Sequence, residues 1–557
     1  MKEDYKLLHS KFLEEELKCQ VEDFQKKLEA PALHLLLEKE EVYVALFVKV
    51  SNTGELILKF PKTRALPRKG DFLYSFTVPD SLRSYKFWGQ ITYGNILKAK
   101  TQGSECHCVW MSECDDNRFI LVGLRGLSLN FVKYIQLIPN AVVVLGPNIP
   151  PYEYLANLQR IVNYGGYEPL KNIINPKKNQ GNEVFIPLRK DDYLSKVKAN
   201  FISNDIVVLQ GPPGTGKTQL IAELCDVLCT QDNSILVTSL TNKALMEVAQ
   251  KSPLSKKLNN GVIYKTNLTS DEQHTLPHLQ FAQDFFASKG KLLLATFYKA
   301  SGNAIPYQQM FDYVIVDEGS QAFLATIGMA RLLGKHTLVI GDTKQLPPIT
   351  LLPESRISKM NYRKFIDGFK GAVSSSEGPK FQLSDTFRLG RNAAAQTSLF
   401  YEEQLNSVSI IDIQGNEGPI GVPLPMQIGS SHPENALNKI IEIVESERRD
   451  FQVNEIYILT HLRKNVRKIQ LRIFEKFGYS DNIKVETVAR VQGLTTDVVL
   501  FFIPNNESTY YSLQSPTFNV ATSRATLRTY IIMPSDILKH TYLPHSVRKY
   551  IENIIKH

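Results

Sequence analysis

Along residues 5–30, "YKLLHSKFLEEELKCQVEDFQKKLEA", Leu, Phe and Val recur at helical spacing among Glu and Lys, which predicts one long amphipathic helix. From about residue 40 the period changes to two. "VYVALFVKV" and "ELILKF" flank "SNTG" and predict a hairpin. Further β-rich runs follow, separated by Gly, Pro and Asp: "DFLYSFTV", "FWGQITYG", "CHCVWMSEC", "RFILVGL" and "AVVVLG". Together they predict a small antiparallel β-barrel or sandwich over residues 31–149. A helical pattern returns in "PPYEYLANLQRIVNY" (150–164), and "NPKKNQGNE" (175–183) reads as an exposed linker.

From Ile206 the texture changes again. Short, continuous apolar runs alternate with helical stretches: "DIVVLQ", "SILVTSL", "KLLLATF", "YVIVDE" and "TLVIGD", then "EIYILT", "VVLFFIP" and "TYIIM". Strands that are apolar on both faces indicate parallel sheets covered by helices. There are enough for two sheets, with a seam near 355–380, where "SSSEGPK" lies. No tandem repeat or low-complexity tract interrupts the pattern.

Composition narrows the class. A chain of 557 residues exceeds one core, and about two to four domains are expected. With 43% hydrophobic and 22% charged residues it reads as an ordinary soluble globular protein. The start "MKEDYKLLHSK" has no secretory core, and no apolar run approaches the ~20 residues of a membrane helix. Six cysteines over this length make no disulfide framework, so cytoplasm, or nucleoplasm in a eukaryote, is expected. A net charge of +9 suits a polyanionic partner.

The chemistry is concentrated in "LQGPPGTGKTQL" (209–220), where Gly211 to Thr218 fit G-x-x-x-x-G-K-[ST]. Glycines in such a loop turn backbone N–H groups inward around phosphates, so Gly211, Pro213, Gly214, Thr215 and Gly216 are candidate ATP contacts. Lys217 reaches the terminal phosphates and the Thr218 hydroxyl holds Mg²⁺. A strand before and a helix after place the phosphates at a positive helix end. Acidic partners are needed at the end of another strand, and "FDYVIVDEGSQA" supplies Asp317 to hold Mg²⁺ and Glu318 to polarise the attacking water. In "TLVIGDTKQLPPI" the amide of Gln345 can bond both a γ-phosphate oxygen and that water.

"GD-x-x-QLPP" after "DE-x-x-Q" resembles motif III of the superfamily 1 helicases. Other blocks follow in that family's order. "ILVTSLTNKAL" (235–245) stands at motif Ia and "LLLATF" (292–297) at motif Ic. "LSDTFRLG" (383–390) resembles motif IV, with Arg388 at its arginine. "VETVARVQGLTTDVVL" (485–500) resembles motif V, with Gln492, Gly493 and Asp497 matching. "FNVATSRATLRTYII" (518–532) resembles motif VI, with Arg524 at its arginine. The blocks span about 320 residues and resemble most closely superfamily 1B, in the branch of the nonsense-mediated-decay helicase.

The resemblance implies an α/β fold with two tandem RecA-like lobes, residues 185–360 and 361–557. A helical stalk (1–30 and 150–175) and the β-barrel would precede them. It implies an ATP- and Mg²⁺-dependent motor, a monomer moving 5′ to 3′ on single-stranded DNA or RNA. Arg388 and Arg524 would then be arginine fingers from the second lobe. Phe387, where relatives often carry Tyr, would stack on the base, and Gly493 would face the nucleotide. Ser239, Thr241, Asn242, Thr296 and Thr487 would touch the strand's backbone. Two other functions compete: a nucleic-acid-stimulated ATPase clamp without unwinding, and a protein remodeller of the AAA+ type, which shares "GPPGTGKT".

Departures from the family pattern stand beside these matches. Between Phe185 and Leu209 there is no Gln to read the adenine edge. Ala489, Arg490 and Thr495 replace usual motif V residues, and the 250–290 interval is too short for a large inserted domain. "CHCVWMSEC" groups Cys106, His107, Cys108 and Cys114, but as C-x-C with no second pair, so strand alternation accounts for it better than Zn²⁺. Cys225 and Cys229, one turn apart, read as small buried residues. "HLRKNVRKIQLR" (461–472) gathers Arg463, Lys464, Arg467, Lys468 and Arg472 on a helix, more in keeping with a solvated face than with a phosphate contact.

Overall fold

The computed structural model describes residues 5–28, 36–37, 41–62, 66–67, 72–79, 91–147, 150–164, 173, 184–409, 418–430, 433–451, 453–478, 480 and 482–555. The linker expected at 175–183 lies outside these residues, as do parts of the "DFLYSFTV" and "FWGQITYG" runs. The chain divides into two compact units. The first takes residues 1–167, 225–312 and 350–362, and the second takes 168–224, 313–349 and 363–557.

The first unit begins with the expected long helix, α1 (Tyr5–Leu28). Its apolar stripe buries Phe12, Leu13 and Phe24. A second helix, Tyr152–Tyr164, packs along it, and Gln159 Nε2 reaches Ser10 Oγ at 3.3 Å. The polar side of α1 holds the segment 350–356. The wholly buried Glu16 carboxylate accepts the Thr350 hydroxyl and the N–H groups of Leu351 at 3.1 Å and Leu352 at 3.2 Å. The preceding residue, Glu15, meets Arg356, whose Nε and Nη2 bond it at 2.8 and 2.5 Å.

Between these helices the chain forms six antiparallel strands: β1 (Tyr43–Val50), β2 (Leu56–Pro61), β3 (Phe72–Thr77), β4 (Gly103–Glu113), β5 (Phe119–Arg125) and β6 (Val142–Gly146). They close as a barrel in the order β1-β2-β5-β4-β3-β6, so no edge is left unpaired. The hairpin falls where "SNTG" predicts it, and Gly54 supplies the positive φ of +80° in its turn. Strand alternation sends Cys106 and Cys108 into the barrel core beside Val122 and Leu124. Burial pushes the Cys106 thiol up to about 12, so it is held as a protonated, small apolar residue.

The remaining strands are β7 (Ile186–Leu188), β8 (Ile206–Gln210), β9 (Ile235–Ser239), β10 (Ile263–Lys265), β11 (Gln280–Phe281), β12 (Leu292–Thr296), β13 (Phe311–Val316), β14 (Gly334–Gly341) and β15 (Lys380–Leu383). After them come β16 (Asp385–Thr386), β17 (Asn406–Ser407), β18 (Gly418–Leu424), β19 (Ile456–Thr460), β20 (Ile483–Thr487), β21 (Thr496–Phe502) and β22 (Ala525–Pro534). The first unit holds the parallel order β11-β10-β12-β9.

The second unit holds β14-β8-β15-β7 and a separate five-stranded parallel sheet, β18-β22-β21-β19-β20. Strands such as β8, β19 and β21 are buried along nearly their whole length, as their unbroken apolar runs require. The seam expected near 355–380 falls short. Lys380 pairs with Val208 and Phe381 with Leu209, so the sheet carrying the P-loop strand runs on to Leu383. Composition hid this because "KFQL" is a short run just after a Ser- and Gly-containing turn. No helix among the described residues is long and apolar enough to cross a membrane.

Candidate nucleotide-binding site

All of the nucleotide-site residues expected from the sequence lie in the second unit. β8 is held between β14 and β15, and its last residue, Gln210, opens directly into the glycine loop. Gly214 and Gly216 have φ of +73° and +81°, the left-handed backbone that turns amides toward a common centre. At Gly214 there is no room for a side chain either, since a Cβ there would lie 2.4 Å from Arg388 Cβ. The helix Lys217–Leu228 starts at the loop's end. Lys217 is folded back over it, and its Nζ donates to Gly211 O at 2.6 Å and Pro212 O at 3.3 Å. Burial pushes this ammonium below its usual value, while Asp342 and Asp317 pull the other way.

Two neighbouring strands deliver the acidic groups. After β13, Asp317 is buried and its Oδ1 accepts the Glu318 N–H at 2.8 Å. Glu318 itself adopts φ +53° and ψ +37°, a left-handed conformation that costs a non-glycine residue about 1–3 kcal/mol. This backbone sets the direction in which the Glu318 side chain leaves the chain. Gly493, expected from motif V, lies against it, for a Cβ at that glycine would be 3.1 Å from Glu318 Oε1.

After β14 comes Asp342, whose burial raises its pKa despite the donors around it. Its Oδ1 accepts Gln210 Nε2 and the Lys344 N–H, both at 2.9 Å. Its Oδ2 accepts Gln345 Nε2 at 2.9 Å and the Tyr401 hydroxyl at 2.7 Å. Asn519 Nδ2 then donates to the Tyr401 oxygen at 2.8 Å and to Lys344 O at 2.9 Å. One buried chain of bonds thus joins the P-loop strand, the expected sensor Gln345 and the motif VI helix. Sequence reasoning missed Gln210, Asp342, Tyr401 and Asn519 as members of the site. Asp342 and Asn519 sit inside recognisable blocks, but Tyr401 in "LFYEEQ" carries no local signal.

The two arginines arrive differently from one another. Arg388, expected from a second lobe, instead follows β15 and β16 closely and is pinned beside the P-loop. Thr386 Oγ1 donates to Pro213 O at 3.0 Å, and the Phe387 N–H to Gly214 O at 2.8 Å. Arg388 Nη1 itself donates to Ser523 O at 3.2 Å. Phe387 is 44% exposed, with its ring 3.5 Å from a Cβ built on Gly216, so a flat apolar face is presented next to the loop.

Arg524 precedes β22 and is 2% exposed. Its Nε donates to Val520 O at 3.0 Å, while its Nη2 is buried without a hydrogen-bond partner among the described residues. Burial pushes this guanidinium down to about 10, against the pull of Tyr401, Asp342 and Glu318. A buried donor left open, together with Lys217 and the loop amides, fits a polyphosphate. The oxygen donors Asp317 and Thr218 fit a hard cation such as Mg²⁺.

The expected strand-contact residues fall in two groups. Ser239 and Thr296 end β9 and β12 side by side, in register, in the first unit. Thr241 and Thr296 also cap the helices that follow, accepting the N–H of Ala244 at 3.2 Å and of Lys299 at 3.4 Å. A capping hydroxyl still has its own O–H to give to a phosphate. Asn242 Oδ1 accepts from the buried Lys265 at 2.9 Å, which leaves its amide N–H groups as the donors for a strand. Thr487 ends β20 in the second unit. Asp497 of motif V is turned to a structural task, accepting the N–H groups of Asn454 and Glu455, both at 3.1 Å.

Residues 196–351 match the family model of an AAA domain. The chain is similar to the human DNA replication ATP-dependent helicase/nuclease DNA2, 24% identical over 379 residues, covering 59% of this chain and 35% of that protein. It thus spans about a third of the length of that relative. The uncharacterized ATP-dependent helicase MJ0104 of Methanocaldococcus jannaschii is 20% identical over 469 residues, 64% of this chain and 69% of that protein. Among solved structures, the Arterivirus nonstructural protein 10 helicase matches with a TM-score of 0.37 and 15% identity, over 84% of this chain and 77% of that one. The chain carries an AAA domain and, over more than half of its length, is a homologue of DNA2 and other superfamily 1 helicases.

Proposed function

We propose that this chain is an ATP- and Mg²⁺-dependent helicase or translocase of superfamily 1B that moves 5′ to 3′ on single-stranded DNA or RNA as a monomer. The observation that carries the proposal is the gathering of Lys217, Asp317, Glu318, Gln345, Arg388 and Arg524 around one glycine loop, with the Arg524 Nη2 buried and open. Such a set serves phosphoryl transfer to water and little else.

Lys217 and the loop amides bind the β- and γ-phosphates, and Arg388 and Arg524 meet the charge that grows on the γ-phosphate oxygens. Asp317 and the Thr218 hydroxyl would hold Mg²⁺, which would supply neutralisation of the phosphate charge. Glu318, aimed by its strained backbone, orients the attacking water and draws off its proton. Gln345 reports the γ-phosphate to Asp342, and through Tyr401 to Asn519 on the motif VI helix. Ser239, Thr241, Asn242, Thr296 and Thr487 hold the strand by its backbone, without reading bases.

The test is ATP hydrolysis by wild type and Glu318→Gln, alone, with poly-dT and with poly-U. Strong stimulation by a polymer, lost in the variant, is expected, and the better polymer names the substrate. Equal rates in all three conditions would remove nucleic acid as the partner and favour the protein-remodelling alternative. Stimulation without unwinding of a forked duplex would leave the clamp.

A further inference from the structure

All five strands of the second unit's separate sheet run parallel, so their carboxyl ends share one edge. Thr460, the last residue of β19, is in register with Thr487, the last of β20. Immediately after Thr460 stands His461. The short helix Ser508–Ser512 follows the end of β21 and carries Tyr510 and Tyr511, and Tyr542 follows the end of β22. Arg524 and Gly493, by contrast, lie before the amino ends of β22 and β21, on the nucleotide side.

At this carboxyl edge the four rings touch in series. The His461 and Tyr511 rings are stacked at 5.2 Å with only 5° between their planes. Tyr511 meets Tyr510 edge-on at 5.3 Å, and Tyr510 meets Tyr542 edge-on at 6.0 Å. The tyrosines are far from buried: 46% exposed for Tyr510, 52% for Tyr511 and 74% for Tyr542. Burial holds His461 below its usual pKa, so it is a neutral, flat ring at neutral pH.

We propose that His461, Tyr511, Tyr510 and Tyr542 form a platform on which bases of a single-stranded nucleic acid stack, continuing the backbone grip at Thr487. The proposal rests on the motor assignment above and adds to it a base-dependent, sequence-tolerant component of binding. Aromatic rings already set in stacking geometry extend naturally by one more flat ring, and every base has such a face. Charge selects the occupant. The fifteen-residue helix Arg463–Phe477 begins two residues after His461, with no acidic residue in its first turn and no side chain capping its amino end. Its positive end and the exposed Arg467 and Lys468 suit a phosphate backbone. Arg472, farther along the same helix, is instead paired with Glu434 of the helix Glu434–Asp450.

The experiment is fluorescence anisotropy with labelled oligo-dT, oligo-U and an abasic strand of equal length. The proteins are wild type, Tyr511→Ala, Tyr511→Phe and Tyr542→Ala, each with its thermal midpoint measured. Tyr511→Ala is expected to weaken binding of the base-bearing strand by roughly 5- to 150-fold while leaving the abasic strand unchanged. Tyr511→Phe should restore the affinity, and Tyr542→Ala, at a site too exposed to unfold the chain, should give a smaller loss of the same kind. Unchanged affinity in both alanine variants overturns the platform, as does an equal loss on base-bearing and abasic strands. Wild type that binds none of the strands would instead bring down the motor assignment itself.

Discussion

Arg524 enters the nucleotide site with its Nε tied to Val520 O and its Nη2 open. An open, buried guanidinium donor is a device for charge that appears only during reaction. Arg524→Ala is therefore expected to lower the stimulated kcat by ~10³-fold or more while KM for ATP moves little, as steady-state kinetics will record. Gly493 presents a different constraint. Its φ of +83° and the 3.1 Å from a built Cβ to Glu318 Oε1 leave no comfortable place for a methyl group. Gly493→Ala should displace the Glu318 carboxylate, dropping kcat about tenfold or more at nearly unchanged nucleotide affinity. A variant that turns over like wild type would show that Glu318 does not orient the water. Tyr401→Phe removes one donor from the buried Asp342 and the acceptor of Asn519. It should destabilise the protein by about 1–3 kcal/mol in urea unfolding and weaken the stimulation of ATPase by polymer more than the unstimulated rate.

Elements explain why some of this was legible and some was not. The P-loop, Asp317 and Glu318 could be read because each sits at a strand-to-loop junction whose spacing is set within about ten residues. The Asp342 network could not, because Tyr401 and Gln210 lie 59 and 132 positions from Asp342 and meet it only in the folded chain. β15 was misjudged for the same reason: the run "KFQL" says nothing of which sheet it joins. Arg388 moved with it, from an expected second lobe to the rim of the P-loop. That residues 31–149 are antiparallel β was readable from period-two patterning, but a sandwich alternates in the same way, so closure into a barrel was not.

α1 offers a test at this scale. The hydrogen bonds from Arg356 hold the Glu15 carboxyl below its ordinary pKa. A depressed folded pKa means stability that is present above the ordinary value and lost as pH falls through the folded one. The Tm of wild type should thus exceed that of Glu15→Gln by about 1–3 °C at pH 7, and the gap should close below about pH 4. A gap independent of pH would show that the pair is not the source.

For the whole molecule, a charge of +9 invites the expectation of a binding constant that collapses with salt. The residues proposed to hold the strand are almost all neutral hydroxyls, amides and rings. Counterion release scales with the cations that touch phosphates, so the plot of log K against log salt should be no steeper than about −2 for a single strand. A slope near about −5 would mean that Lys and Arg surfaces, not these groups, carry the binding. The same chain has its own order of assembly. Glu16 leaves the ribosome 336 residues before Leu352, one of the N–H donors its buried carboxylate requires. At ~5–20 residues per second that interval is roughly 15–70 s. Throughout it, the Glu16 charge on α1 goes without these donors, so the contact that fixes this helix is made long after the helix itself is synthesised.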